Sequence, residues 1–178
     1  GGAGCGEVDV DLADVNLDGK LDAVVATGGC GEVDLMLGNG AFSFTGTTLT
    51  MGTQPGHVVV ADLNGDGRPD IAASDMAGGG AVVRLQNPAT PGAFLGSSAF
   101  SAITSPSDIA VADVDQDGDL DLLVGSATQA AFAVLKNDGS GSFAAPIVFS
   151  MNDPVQSLVA DDLNHDGLVD VITAGSSA

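Results

Sequence analysis

The chain has 178 residues, room for one compact domain with a sizeable core, and its 24 acidic residues face only Lys20, Arg68, Arg84 and Lys136, for a formal charge of −20. Phosphate binding needs a Lys/Arg surface and single-strand binding needs stacking aromatics, so this composition, which also lacks Trp and Tyr, excludes nucleic acid as a partner. Hydrophobic residues reach 44 % but fall in strand-length runs such as 57–61 and 109–112, far short of the roughly 20 residues of a membrane helix.

The opening residues, GGAGCGEVD, are small and acidic instead of basic and then apolar. No signal peptide is read there, and the expectation is a mature or excised segment.

From Asp14 a nine-residue phrase, DVNLDGKLD, begins a unit that returns as DLNGDGRPD from Asp62, DVDQDGDLD from Asp113 and DLNHDGLVD from Asp162. The starts lie 48, 51 and 49 residues apart, so the chain is an array of one supersecondary unit. Boundaries are expected near 7–52, 53–104 and 105–153, with a partial fourth repeat over 154–178.

In each phrase carboxylates or carboxamides hold positions one, three, five and nine, and glycine holds position six. Calcium takes six to eight oxygen ligands at about 2.3 to 2.6 Å, so a short loop must turn sharply to supply several. Gly19, Gly67, Gly118 and Gly167 allow that turn, because glycine takes positive φ without steric cost. Four Ca²⁺ sites are therefore expected. The first uses Asp14, Asn16, Asp18, Asp22 and the Lys20 carbonyl; the second uses Asp62, Asn64, Asp66, Asp70 and the Arg68 carbonyl. The third uses Asp113, Asp115, Asp117, Asp121 and the carbonyl of Asp119; the fourth uses Asp162, Asn164, Asp166, Asp170 and the Leu168 carbonyl. Loop three carries the most carboxylates and is expected to bind most tightly. The loops hold 14 of the 24 acids, so four calcium ions, adding eight positive charges to −20, would leave about −12. The metal-free form is expected to loosen or unfold. Asp/Asn/Gly clusters also make ordinary solvated turns, but four copies in register weigh against that alternative.

A helix-flanked EF-hand would need a bidentate glutamate at position twelve, where this chain has Val25, Ala73, Val124 and Thr173. The runs that leave the loops, 23–26, 71–74, 122–125 and 171–174, are short, apolar and largely β-branched, and read as buried strands. In the second repeat, strands are expected at 57–61 and 71–74, then from Ala81 after the turn at 78–80, then from Ala93. The first repeat matches from Glu32 and through 41–49, the third from Phe132. Asn39, Asn87 and Asn137 are taken as equivalent turns, with Phe42, Phe94 and Phe143 each packing between adjacent sheets.

The fold class expected is all-β: a β-propeller-type array of four-stranded blades, about three and a half of them, with a calcium loop between the first and second strand of each. A stacked β-solenoid is the other architecture. The arrangement resembles the FG-GAP or VCBS repeat family, known from integrin α-subunit propellers and many secreted bacterial proteins. The nine-residue phrase matches that family's calcium motif in all four copies, and LKNDGSGSFAAP from Leu135 is similar to its name motif, which the first two repeats keep only as the Phe. The resemblance implies an extracellular or cell-surface adhesion module, contacting protein or carbohydrate.

An open set of blades leaves raw edges, and three arrangements would cover them: a longer propeller, a small imperfect four-bladed ring, or pairing with copies of the same chain into a filament. The non-catalytic propeller portion of a larger secreted enzyme is a further alternative. Catalysis by this chain is not expected: there is no Gly-x-Ser-x-Gly elbow and no CxxC pair, and the metal accounts for the paired carboxylates. His57 and His165 are expected at the surface. Cys5 and Cys30 flank the first repeat's first two strands, and in a calcium-rich compartment disulfides persist, so a bond between them is expected, two buried thiols being the alternative.

Overall fold

The computed structural model describes residues 6–175. Fourteen strands follow in order: β1 Gly6–Ala13, β2 Asp22–Gly28, β3 Glu32–Gly38, β4 Phe44–Thr50, β5 Pro55–Ala61, β6 Asp70–Asp75, β7 Gly80–Arg84, β8 Ser98–Ser101, β9 Pro106–Ala112, β10 Asp121–Ser126, β11 Ala131–Leu135, β12 Ile147–Ser150, β13 Ser157–Asp161 and β14 Asp170–Ala174. There is no helix among the described residues, and so none long and apolar enough to cross a membrane.

Each repeat folds as an antiparallel meander. Strands β1 to β4, β5 to β8 and β9 to β12 make three four-stranded sheets in sequential order, and β13 pairs with β14 alone. The first strands of successive sheets lie beside one another, β1 against β5, β5 against β9 and β9 against β13. This is the β-propeller-type array of three and a half blades read from the repeats. Each nine-residue phrase connects the first strand of its blade to the second.

Second strands read as continuous apolar runs because they sit mid-sheet between two other blades. Every residue of β6 and of β10 is buried. Strand β2 alternates instead, with Val24 and Ala26 buried and Ala23 and Val25 half-exposed, because only one of its faces meets another blade.

Three cores fill the three gaps. Val24, Val33, Leu35 and Met51 of blade one pack on Val58, Ile71 and Val82 of blade two. Ala72, Val83 and Leu63 of blade two meet Ile109, Leu122 and Leu135 of blade three. Leu123, Phe132 and Val134 of blade three meet Val155 and Leu158 of the last sheet. Fully burying one such side chain contributes about 1.5 to 3 kcal/mol, so each gap is held chiefly by this apolar contact.

Polar side chains add direction between neighbouring first strands. Asp9 Oδ2 accepts the Val58 N–H at 3.0 Å and Asp11 Oδ2 accepts the Val60 N–H at 2.8 Å, tying β1 to β5. One interface further on, Asp108 Oδ2 accepts the Leu158 N–H at 2.8 Å. His57 is not a free surface residue. It is half-buried, its Nδ1 lying 3.5 Å from Asp9 Oδ2 and 3.4 Å from Asp108 Oδ1, in the row that links three blades.

Three further sequence-based expectations need correction. Asn137 is not the equivalent of Asn39 and Asn87. The backbone N–H groups of Gly38, Gln86 and Asn137 each donate to the ninth-position aspartate of their own repeat, so Asn39 and Asn87 correspond to Asp138. Asn39, Asn87 and Asp138 do share a turn, each accepting on Oδ1 the N–H two residues on. Phe42 does not pack between sheets; it is fully exposed, while Phe94 lies against the first core and Phe143 against the second. Phe94 and Phe143 each pack toward the blade before their own, and among the described residues no blade precedes the first to receive Phe42. The fourth strand of repeat two is shorter than read, covering Ser98–Ser101, with Phe94 held separately in a bridge to Gln86.

Cys30 is exposed, in the turn between β2 and β3, so it is not a buried thiol. Its expected partner Cys5 lies outside the described residues.

Candidate metal centre

The four loops close on themselves with one repeated hydrogen-bond pattern. The first-position aspartate accepts the N–H of position five on one carboxylate oxygen and that of position six on the other. For Asp14 these bonds, from Asp18 and Gly19, are 2.9 and 2.7 Å; for Asp62, from Asp66 and Gly67, 3.2 and 2.8 Å. For Asp113, from Asp117 and Gly118, they are 3.1 and 3.0 Å; for Asp162, from Asp166 and Gly167, 3.1 and 2.8 Å. The fifth-position aspartate accepts the N–H of position seven at 2.8 to 3.0 Å in every loop.

The turn needs two left-handed residues, and the sequence pattern points to one. The glycines at position six have φ between 79° and 95°, as expected. Position four is also left-handed, with Leu17 at 60°, Gly65 at 68°, Gln116 at 64° and His165 at 61°. Only Gly65 takes this conformation without steric cost, and the other three are held there by the closed carboxylate bonds. His165 is exposed.

Loop three brings three carboxylates together. Asp113, Asp115 and Asp117 each offer an oxygen within 4.8 Å of the other two. Two oxygens on opposite sides of one Ca²⁺ stand about 4.6 to 5.2 Å apart, so this spacing suits a hard cation of that size. Loops one, two and four have an asparagine at position three, whose carbonyl oxygen is an equally hard donor.

Three of the four ninth-position aspartates occupy a different place from the other predicted ligands, whereas Asp170 is half-buried and accepts the Leu163 N–H at 3.3 Å. Asp22, Asp70 and Asp121 are fully buried. One oxygen of each accepts the N–H of position two, from Val15 at 2.9 Å, Leu63 at 3.0 Å and Val114 at 3.1 Å. The other accepts an N–H at or just past the end of the third strand, from Gly38, Gln86 and Asn137 at 2.7 to 2.8 Å. They fasten the loop to its own blade. Burial pushes the carboxyl of Asp70 up to about 6, against the lowering effect of the Gln86 and Leu63 N–H bonds, and raises that of Asp121 for the same reason.

Two of the four basic side chains sit on loop carboxylates. Lys20 Nζ lies 2.9 Å from Asp18 Oδ2, and Lys136 Nζ lies 2.6 Å from Asp115 Oδ2. These hydrogen-bonded ammonium groups hold Asp18 and Asp115 below the usual carboxylate range, and the lysines are raised in turn. Neither lysine stands out from the sequence as a partner of the loops, although Lys20 lies inside the first.

The meandering sheets, packed face to face around neighbouring first strands, define a repeat protein of β-propeller type. The FG-GAP-like repeat pattern matches residues 14–73 and 113–173, and the chain belongs to that family. Among solved structures it is similar to an Agrocybe aegerita lectin described as recognising non-reducing terminal N-acetylglucosamine, at 24 % identity and a TM-score of 0.54, covering 80 % of this chain and 38 % of that one. It is similar to BBS1N in a complex with ARL6DN, at 11 % identity and a TM-score of 0.64, covering 96 % and 51 %. It is also similar to part of a Photorhabdus luminescens Tc holotoxin pore, at 18 % identity and a TM-score of 0.52, covering 91 % and 8 %. The chain thus spans about half or less of each of these structures. No match is found among curated proteins.

Proposed function

We propose that this chain is a calcium-binding structural and adhesion module of an extracellular propeller, in which the ion holds the connection between the first and second strand of each blade. The observation that supports this reading is loop three, where Asp113, Asp115 and Asp117 each bring an oxygen within 4.8 Å of the other two, within a turn repeated in all four blades. Three ionised carboxylates in that space repel one another, and a divalent cation bound to the native state turns the repulsion into folding free energy. Millimolar extracellular calcium suits loops of this kind, and a Cys5–Cys30 disulfide belongs with the same compartment. The carboxylates serve the loops, so the module is proposed to be non-catalytic. A contact with carbohydrate is a candidate only through the likeness to the lectin.

Thermal denaturation in calcium and then in chelator tests the reading. The melting temperature falls in chelator, and an unchanged value would sink structural calcium.

A second reading, assembly with copies of itself, draws on two bare faces. Val8, Val10 and Leu12 of β1 are 51 to 58 % exposed, and Val10 stands where Val58, Ile109 and Leu158 are buried in later blades. A hollow of about 410 Å³, lined by Phe132, Ile147, Phe149, Val169 and Val171, lies between blade three and the last sheet. Strands of a neighbouring copy would fill it by edge addition. Negative-stain microscopy in calcium that finds only discrete monomers overturns this assembly.

A further inference from the structure

Three side-chain amides join the four loops in series. Gln86 Nε2 donates to the Val15 carbonyl of loop one at 2.8 Å and to the Pro69 carbonyl of loop two at 2.9 Å. Asn137 Nδ2 donates to the Leu63 carbonyl of loop two at 2.7 Å and to the Leu120 carbonyl of loop three at 2.9 Å. Gln116, inside loop three, donates through Nε2 to the Gly167 carbonyl of loop four. All the acceptors are carbonyls, so only the NH₂ end of each amide can make these bonds.

The acceptors are not arbitrary loop atoms. Each carbonyl shares a planar peptide unit with the next residue, and those residues are Asn16, Asp70, Asn64, Asp121 and Leu168, all proposed ligand positions. An amide that holds one of these carbonyls therefore sets the backbone of a ligand residue in two neighbouring loops at once. Burial makes the tie stiff: Gln86 is fully buried and Asn137 is 6 % exposed, so neither has water to replace a lost carbonyl. The hairpin that follows Gln86 also presses on loop one, where a side chain at Gly92 would stand 3.0 Å from the Asn16 Cβ.

We propose that the four loops take up calcium cooperatively, each filled loop ordering the next through Gln86, Asn137 and Gln116. This rests on the calcium reading above. An empty loop loosens under its own charge and releases the carbonyl that its neighbour's amide needs, whereas a filled loop presents that carbonyl in place. Charge acts the other way, since every bound ion makes the chain less attractive to the next, but at physiological ionic strength exposed charges are screened over about 8 Å. The hydrogen-bonded tie is direct and prevails.

Calcium titration of the full chain at physiological ionic strength, read by calorimetry and by a calcium electrode, tests this. The native chain is expected to show a Hill coefficient above one, with affinity rising within the about 5- to 150-fold range that coupled sites span. Gln86→Met with Asn137→Leu removes the amides at similar volume, and the Hill coefficient falls to one or below with the same number of ions bound. Gln116→Gly is on the surface and keeps the left-handed backbone, so it leaves the fold intact and uncouples loops three and four alone, with a smaller fall. Calcium uptake without cooperativity in the native chain, or a Gln116→Gly isotherm that superimposes on it, overturns the coupling alone. No uptake overturns the calcium reading and the coupling with it.

Discussion

Lys136 Nζ lies 2.6 Å from Asp115 Oδ2, so the chain places one of its few cations on the loop richest in carboxylates. The ammonium group partly offsets the charge expected to make loop three the tightest site, and a calcium ion must share Asp115 with it. Lys136→Met should tighten calcium binding at loop three by a few-fold, as read by titration, since both the repulsion and the competition disappear. Unchanged affinity would mean that Lys136 gives way without cost.

Removing one carboxylate of that cluster has the opposite effect. Asp117→Ala takes away a proposed ligand together with the acceptor for the Asp119 N–H. The number of ions bound, counted by equilibrium dialysis, should fall from four to three. A count that stays at four places the ion elsewhere.

Phe42 and Phe143 occupy similar places in sequence and opposite ones in space. Phe143 is buried in the core between blades two and three, with its ring 5.0 Å from that of Phe100 in an edge-on arrangement, whereas Phe42 is fully exposed. Phe143→Ala should cost about 3 to 5 kcal/mol in denaturant unfolding. Phe42→Ala should stay within about 0.5 kcal/mol of the parent. Equal effects would show that the first repeat buries its phenylalanine in solution.

Metal-free protein should gain stability as pH falls from 7 to 5. Asp70 has a folded value of about 6 against an ordinary 3.8, so between those values the folded state binds more protons than the unfolded state, and stability falls as pH rises through that window. Asp121 shifts in the same direction. Asp18 and Asp115 are lowered, and their contribution is lost only below the ordinary carboxylate value, outside this window. Melting in chelator should therefore rise by a few degrees between pH 7 and 5. A flat or falling profile would contradict it.

Much of this protein was legible in the chain because it is local. The bonds that close each loop run from Asp14 to Asp18 and Gly19, or from Asp22 to Val15, all within seven residues, so spacing alone dictates the turn and the strands on either side. Fifty-residue periodicity then requires one sheet per repeat. Only the tertiary structure decided which residue meets which across blades. The contacts of Gln86 with Val15 and of Asn137 with Leu63 span 71 and 74 residues, and nothing near Gln86 or Asn137 in sequence marks them. Phe42 and Phe143 differ for the same reason: burial depends on whether a neighbouring sheet is present, and composition and spacing are blind to that. Asp70 and Asp121 join the two levels, placed by the local repeat but buried by the packed blades, and that burial raises their carboxyls.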